Sequence, residues 1–130
     1  MSGLVPRLAG TAAAAVALST AMACGIVGSS GDNKAACDAL KADIQQVTSD
    51  GLKQTGDTAA LEQVYRKGAD KVRADAKKGD GDVADAGKDV ATQLDKLGDF
   101  VKNLSASSGG FPDTSGLNTA GAKLNKACDG

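Results

Sequence analysis

Residues 83–104 read VADAGKDVATQLDKLGDFVKNL, and this stretch decides the fold. Its apolar residues, with one glycine among them, recur at alternating steps of four and three residues. The positions are Val83, Gly87, Val90, Leu94, Leu97, Val101 and Leu104. Because this period of 3.5 places all of them on one face of an α-helix, the stretch predicts a helix that packs in a bundle or a coiled coil.

Three further segments show the same helical period. The first runs from an N-cap at Asp32 to a stop at Gly51, the second opens at Asp57 or Thr58, and the last starts near Thr114. Their inward positions are Cys37, Leu40, Ile44 and Val47; Leu61, Val64, Gly68, Val72 and Ala76; and Leu117, Gly121, Leu124 and Cys128. No segment alternates with a period of two, so we expect an all-α fold without a sheet.

The connections between these helices predict their topology. Short links at residues 51–58 and 79–82 favour antiparallel neighbours, and residues 105–112 form a loop by composition. We therefore expect an up-down-up-down four-helix bundle over residues 32–130. In such a bundle Cys37 and Cys128 lie at the same end on inward faces, which predicts a disulfide between them.

The first 23 residues are typical of a secretory signal peptide. Arg7 and the amino terminus supply positive charge, and residues 8–23 then carry no charge and end in small side chains. We expect the chain to be exported. Residues 24–31 then form the attachment point and a Gly/Ser-rich tether that precedes the folded domain.

Two cleavage patterns meet at the same bond. Ala21-Met22-Ala23 suits an ordinary signal peptidase, whereas the same residues followed by Cys24 resemble a lipobox, after which the cysteine is lipidated. Ala21 stands where a lipobox usually has leucine. The three cysteines favour lipidation, because an odd thiol is a liability in an oxidising compartment and modification of Cys24 leaves an even pair. Plain secretion and an uncleaved membrane anchor are the alternatives.

The absence of histidine among the 130 residues removes much catalytic chemistry. It excludes Ser-His and Cys-His nucleophile pairs and histidine zinc ligands. The 15 basic and 16 acidic residues give a net charge of −1, without the basic excess of a nucleic-acid-binding protein. We expect no enzyme, no cofactor and no nucleic-acid partner.

An acidic cluster in the third segment is the nearest approach to a metal motif. It consists of Asp80, Asp82, Asp85 and Asp89. A calcium loop of the EF-hand type starting at Asp80 would need oxygen ligands where Ala84 and Ala91 stand. We therefore expect no metal site, and we interpret these aspartates as cap and first-turn acids of a helix.

A candidate contact surface rests on the few aromatic residues, which are Tyr65, Phe100 and Phe111. Aromatic side chains are enriched at binding hot spots. The second segment is also locally basic, a pattern typical of a solvated face that beside a membrane can meet anionic headgroups. Its charged residues are Arg66, Lys67, Asp70, Lys71, Arg73, Asp75, Lys77 and Lys78.

The arrangement of these features resembles the small secreted lipoproteins of actinobacteria. The resemblance is carried by Cys24, the Gly/Ser tether and three short motifs, Ala36-Cys37-Asp38, Gln93-Leu94-Asp95-Lys96-Leu97 and Lys126-Ala127-Cys128. It implies an exported helical domain at the outer face of the cytoplasmic membrane. It implies no defined activity and no functional residues beyond the three cysteines.

These expectations leave two functions open. The first is a non-enzymatic envelope lipoprotein that binds a partner protein or envelope component through its helix faces. The alternative is a carrier of a small apolar ligand in a cavity between the helices, because Gly68, Gly87 and Gly121 leave space beside the apolar positions. Glycines at such positions more often allow close packing of helices.

Overall fold

Four α-helices make up the fold in the computed structural model, which describes residues 30–104, 110 and 112–130. They are α1 (Ser30–Lys53), α2 (Thr58–Ala76), α3 (Gly81–Asn103) and α4 (Ser115–Asp129). No strand occurs within the described ranges. The predicted all-α class and the number of helices are confirmed.

Each helix packs mainly against its neighbours in the chain. The interface between α2 and α3 is the most extensive, α1 packs chiefly on α2, and α4 chiefly on α3. Helices α1 and α4 adjoin less closely, and α2 and α4 lie diagonally, with no Cα atoms of their described residues within 8 Å of one another. With short connections at residues 54–57 and 77–80 that reverse the chain, this is the predicted up-down-up-down bundle.

The apolar face of α3 forms the centre of the core. Six of its seven predicted inward positions are buried, and Leu104 at the helix end is half-buried. Around them pack Leu40, Val72 and Leu124 from the other three helices, each almost completely buried. The 3.5-residue period therefore identified the central helix of the bundle correctly.

Helix α1 departs from its predicted bounds at both ends. It begins at Ser30 rather than after an N-cap at Asp32, so part of the expected tether is helical. It also continues through Gly51 to Lys53. At Gly51 the backbone faces α2, where a Cβ atom would lie 3.6 Å from Cδ1 of Leu61. The prediction of a stop at Gly51 was wrong because packing on α2 offsets the weak helix propensity of glycine.

The turns at the two ends of α2 are stabilised by different hydrogen bonds. Asp57 is the N-cap of α2, and its side chain accepts a hydrogen bond of 2.9 Å from the Ala60 N–H. Asp80 is the N-cap of α3 without such a bond, and its own N–H instead donates to Oδ1 of Asn33 in α1 at 2.8 Å. Gly81 follows with a φ of +54°, which favours glycine. The Asn33 contact thus fixes α1 to the connection between α2 and α3.

Several predicted features lie outside the described residues. They are the signal peptide of residues 1–23, the lipidation site Cys24, tether residues 25–29, and the loop residues 105–109 and Phe111. Within the described ranges, no helix is both long enough and apolar enough to cross a membrane.

Candidate functional site

A disulfide joins the first and last helices of the bundle. Cys37 near the start of α1 and Cys128 near the end of α4 are bonded, with 5.7 Å between their Cα atoms and 91 residues between them in sequence. Cys37 is buried in the core, and Cys128 is half-buried against it. The predicted Cys37–Cys128 bridge is confirmed. It closes the less extensive interface of the bundle, where Lys41 also lies 3.5 Å from Asp129.

The aromatic residues do not form one surface among the described side chains. Tyr65 of α2 packs against the core with its hydroxyl near Gly51 of α1. Phe100 of α3 lines a cleft of about 320 Å³ that also involves Pro112 and Gly116. The two rings therefore belong to different pairs of helices, and the third predicted member, Phe111, is not described.

The acidic cluster of α3 faces basic side chains. A cleft between α3 and α4 includes Asp82, Asp85 and Asp89 together with Lys123 and Lys126. Lys123 lies 3.2 Å from Asp89 in this cleft. No group of three potential metal ligands comes together within the described part of the chain. The cleft is thus a region of opposed charges rather than an array of carboxylates.

Part of the basic run of α2 is paired with acidic side chains at partly exposed positions between α2 and α3. Arg66 bonds Glu62 at 2.8 Å on its own helix and Asp99 of α3 at 2.7 Å. Arg73 forms an ion pair with Asp95 of α3. These guanidinium groups hold α2 against α3 instead of presenting a uniform basic face to solvent.

Another concave surface lies between the first two helices. It is a groove of about 450 Å³ lined by side chains from residues 43–54 and 60–71, and we refer to it as the α1/α2 groove. Val47, Val64 and Gly68 supply its apolar floor. A Cβ atom at position 68 would overlap Cγ2 of Val47, so glycine permits the close approach of the helices beneath the groove. This confirms the close-packing interpretation for Gly68.

The other two glycines differ from each other. At Gly87 a Cβ atom would lie 2.6 Å from the Cβ of Ala76, so this position also requires close packing. At Gly121 a Cβ atom would meet nothing within 4 Å. Gly121 therefore borders open space, although α4 presents it on the predicted inward face.

One end of the α1/α2 groove contains an ion pair with a buried member. The Nζ atom of Lys71 lies 2.5 Å from Oδ1 of Asp43, and it also donates to Oε1 of Gln46 at 3.1 Å. The Asp43 side chain is only 2% exposed, whereas that of Lys71 is 56% exposed. Two side chains of α1 therefore position the ammonium group of Lys71 at the groove.

The Asp43 carboxyl group has an unusual electrostatic environment. Burial raises its pKa above the usual value, the hydrogen bond from Lys71 opposes that rise, and the carboxyl group of Asp75 reinforces it. The pKa of Asp75 is lowered, chiefly by its hydrogen bond from Lys78 and then by the interaction with Asp43. Oδ2 of Asp43 is buried and accepts no hydrogen bond from the described residues. If Asp43 carries a proton, its carboxylic acid group can donate a hydrogen bond to the carboxylate of Asp75.

Sequence reasoning missed both Asp43 and the position of Lys71. In α1 the predicted inward residues Cys37, Leu40 and Val47 are buried, whereas Ile44 is only half-buried. Ala36 and Asp43 are buried as well, and the series Ala36, Leu40, Asp43 and Val47 runs along the inward face. The spacing of these four residues is helical, so the signal was present. It was hidden because an aspartate is rarely fully buried unless it is paired, and the partner lies on another helix.

The site therefore consists of a structural disulfide at one end of the bundle and a mixed apolar and charged groove between α1 and α2. Comparisons of the chain with protein-family models, with curated proteins and with solved structures find no match to any of them.

Proposed function

We propose that the chain is an exported cell-envelope lipoprotein, anchored through Cys24 to the outer face of the cytoplasmic membrane, whose helical domain is a non-enzymatic binding module. The observation that carries the proposal is the Cys37–Cys128 bridge. Structural disulfides persist in oxidising compartments, which supports export. The bridge also uses two of the three cysteines and leaves Cys24, in its lipobox-like context, for acylation. The resemblance to actinobacterial lipoproteins points the same way and stays a prediction.

The attachment point has consequences for how the domain would be presented. Residues 25–29 separate Cys24 from Ser30, the first residue of α1. The disulfide end of the bundle would therefore face the membrane. The opposite end carries the turn between α1 and α2 and the side chain of Leu52, which is 70% exposed. This end would be available to an envelope protein or another envelope component, and we propose no nucleic-acid partner.

Mass measurement of the exported chain tests the anchor. The full chain and a C24S variant are expressed in a bacterium, and the membrane fraction and medium are analysed by intact-mass spectrometry. We expect the unaltered chain in the membrane fraction, beginning at Cys24 and carrying acyl mass such as palmitate. C24S should carry no acyl mass, and a C37S/C128S variant should still be acylated.

Two outcomes would contradict the lipid anchor. Recovery of the unaltered chain from the medium, without acyl mass, would show plain secretion. A membrane-bound chain that retains residues 1–23 would show an uncleaved anchor. Partner binding needs a separate test, which is crosslinking in the native cell followed by identification of the captured protein. Capture that is equally strong with an unrelated lipoprotein would contradict a specific binding role.

A second candidate function is a carrier of a small ligand, and the α1/α2 groove favours it. Its volume of about 450 Å³ is in the range of about 300 to 1,000 Å³ that is usual for ligand sites. The groove lies at the surface, beside core residues such as Leu40, Val72, Val90 and Leu124 that are almost completely buried. Mass spectrometry of an organic extract of the purified protein tests this function, and an extract without any specifically enriched small molecule would contradict it.

A further inference from the structure

The α1/α2 groove combines an extended apolar floor with a charged end. Its two sides run over residues 43–54 and 60–71, which at 1.5 Å per helical residue corresponds to about 16 Å. Val47, Val64 and Gly68 lie along the floor, and Ala60 continues it toward the turn between the helices. An elongated apolar group would fit this shape better than a compact one.

The charged end is built around an ammonium group that the protein holds in place. An ammonium group has three N–H donors. Lys71 directs one to Oδ1 of Asp43 and another to Oε1 of Gln46, both on α1. The third donor remains for a ligand, and because Asp43 and Gln46 already restrict the side chain, little further ordering is needed on binding.

A second ammonium group lies one helical turn away. Lys67 also lines the groove, four residues before Lys71 on the same face of α2. No acidic group of the described residues lies within 4.0 Å of its Nζ atom. The other acidic side chain at the groove, Asp50, is paired with Lys53 at 3.0 Å. The unneutralised charge at this position is therefore positive and complementary to an anion.

We propose that the α1/α2 groove binds a single-chain amphipathic anion, with its headgroup between Lys67 and Lys71 and its aliphatic chain over Val47, Val64 and Gly68. We expect a free molecule such as a fatty-acid carboxylate rather than a bilayer surface. The apolar floor lies next to the two lysines, so one molecule can place its headgroup on the lysines and its aliphatic chain on the floor. The proposal rests on the carrier function, the second candidate above, and names its ligand class. The anionic headgroup would meet Lys71, which Asp43 and Gln46 hold in place, and the unpaired Lys67. The aliphatic chain would lie on the apolar floor of the groove.

Titration with decanoate tests the proposal. The exported chain carrying C24S is freed of bound lipid and titrated by calorimetry with decanoate, 1-decanol and acetate at submicellar concentrations. We expect decanoate to bind, and acetate, which lacks the chain, to bind far more weakly. Decanol, which lacks the charge, should bind about tenfold more weakly than decanoate. Amide chemical shifts should change at Val47, Val64 and Gly68.

Two matched lysine variants isolate the headgroup contact. K67Q removes the unpaired cation of the groove, and K77Q removes the same charge just beyond the end of α2 and outside the groove. We expect K67Q to weaken decanoate binding about tenfold and K77Q to leave it unchanged. Lys67 forms no ion pair among residues 30–104 and 112–130, so K67Q is expected to fold, which circular dichroism checks.

Three outcomes would overturn the proposal. One is equal weakening by K67Q and K77Q, and a second is decanol binding as tightly as decanoate. The third is no decanoate binding, including the case in which anionic lipid vesicles bind the protein and decanoate does not. The carrier function would survive these outcomes if the organic extract of the purified protein contained an uncharged ligand, so the two failures are distinguishable.

Discussion

Gly68 of α2 lies directly against the side chain of Val47 of α1, and there is no room between them for a Cβ atom. Both residues are buried, and both belong to the floor of the α1/α2 groove. The distance between the two helices, and with it the shape of the groove, is therefore set by the absence of a side chain at one position.

The first prediction concerns this glycine. G68A should destabilise the protein, because overpacking of a close helix contact costs about 1 to 3 kcal/mol. That cost exceeds the gain of about 1 kcal/mol in helix propensity. G121A is the matched control, since a Cβ atom there meets nothing within 4 Å, and it should raise the stability by up to about 1 kcal/mol. Urea denaturation measures both, and a stabilised G68A would contradict the packing argument.

The second prediction concerns the bridge between α1 and α4. These helices share a less extensive interface than the other neighbouring pairs, so the cross-link between Cys37 and Cys128 contributes much of their association. In the chain-entropy model a loop of this size is worth about 4 to 5 kcal/mol. C37S/C128S should lower the melting temperature substantially. Reductant should have a similar effect on the unaltered chain and none on the double variant. Equal melting temperatures would show that the bridge adds no stability.

The third prediction separates two helix N-caps. D57A should destabilise the protein by about 1 kcal/mol, because it removes the acceptor for the Ala60 N–H at the start of α2. D80A should cost less, because the Asp80 side chain forms no cap hydrogen bond and the contact with Asn33 uses its backbone N–H. Thermal denaturation of both variants checks the order, and a larger loss for D80A would reverse the interpretation.

The fourth prediction is a pH dependence that originates at Asp43. Its pKa is raised in the folded state, so its stabilising effect is fully present below the usual value of 3.8 and is lost as the pH rises through the raised pKa. D43N keeps a donor for Asp75 and an acceptor for Lys71 without that loss. The stability of D43N relative to the unaltered chain should therefore increase as the pH rises from about 4 to 7.

Asp75 has the opposite effect on the pH dependence of stability. Its pKa is lowered in the folded state, so its stabilising contribution is lost as the pH falls. Because D43N keeps a hydrogen-bond donor for Asp75, this contribution should be similar in the two chains, which are compared at every pH. D85N, at a side chain that is 79% exposed, is the control. A D43N difference that does not vary with pH, or that varies no more than that of D85N, would contradict the role of Asp43.

Local patterns allowed most of the helical layout to be predicted. The steps of three and four residues in α3 and the start of α2 at Asp57 or Thr58 depend on neighbouring residues, and both are confirmed. The disulfide could also be predicted, because the antiparallel order of the helices brings the start of α1 and the end of α4 to the same end of the bundle. The continuation of α1 through Gly51 could not be predicted from local patterns, since it depends on contacts with Leu61 of another helix.

The sequence by itself therefore determined that the chain forms four helices, in which order they reverse, and which cysteines meet, because helical period, capping and connection length are local properties. Only the tertiary structure decided that Asp43 is buried, that Lys71 reaches it, and that Gly68 brings α1 against α2. These three relationships depend on the rotation and separation of two helices. Packing sets both quantities, and the spacing of Asp43 within α1, although compatible with an inward position, does not decide them.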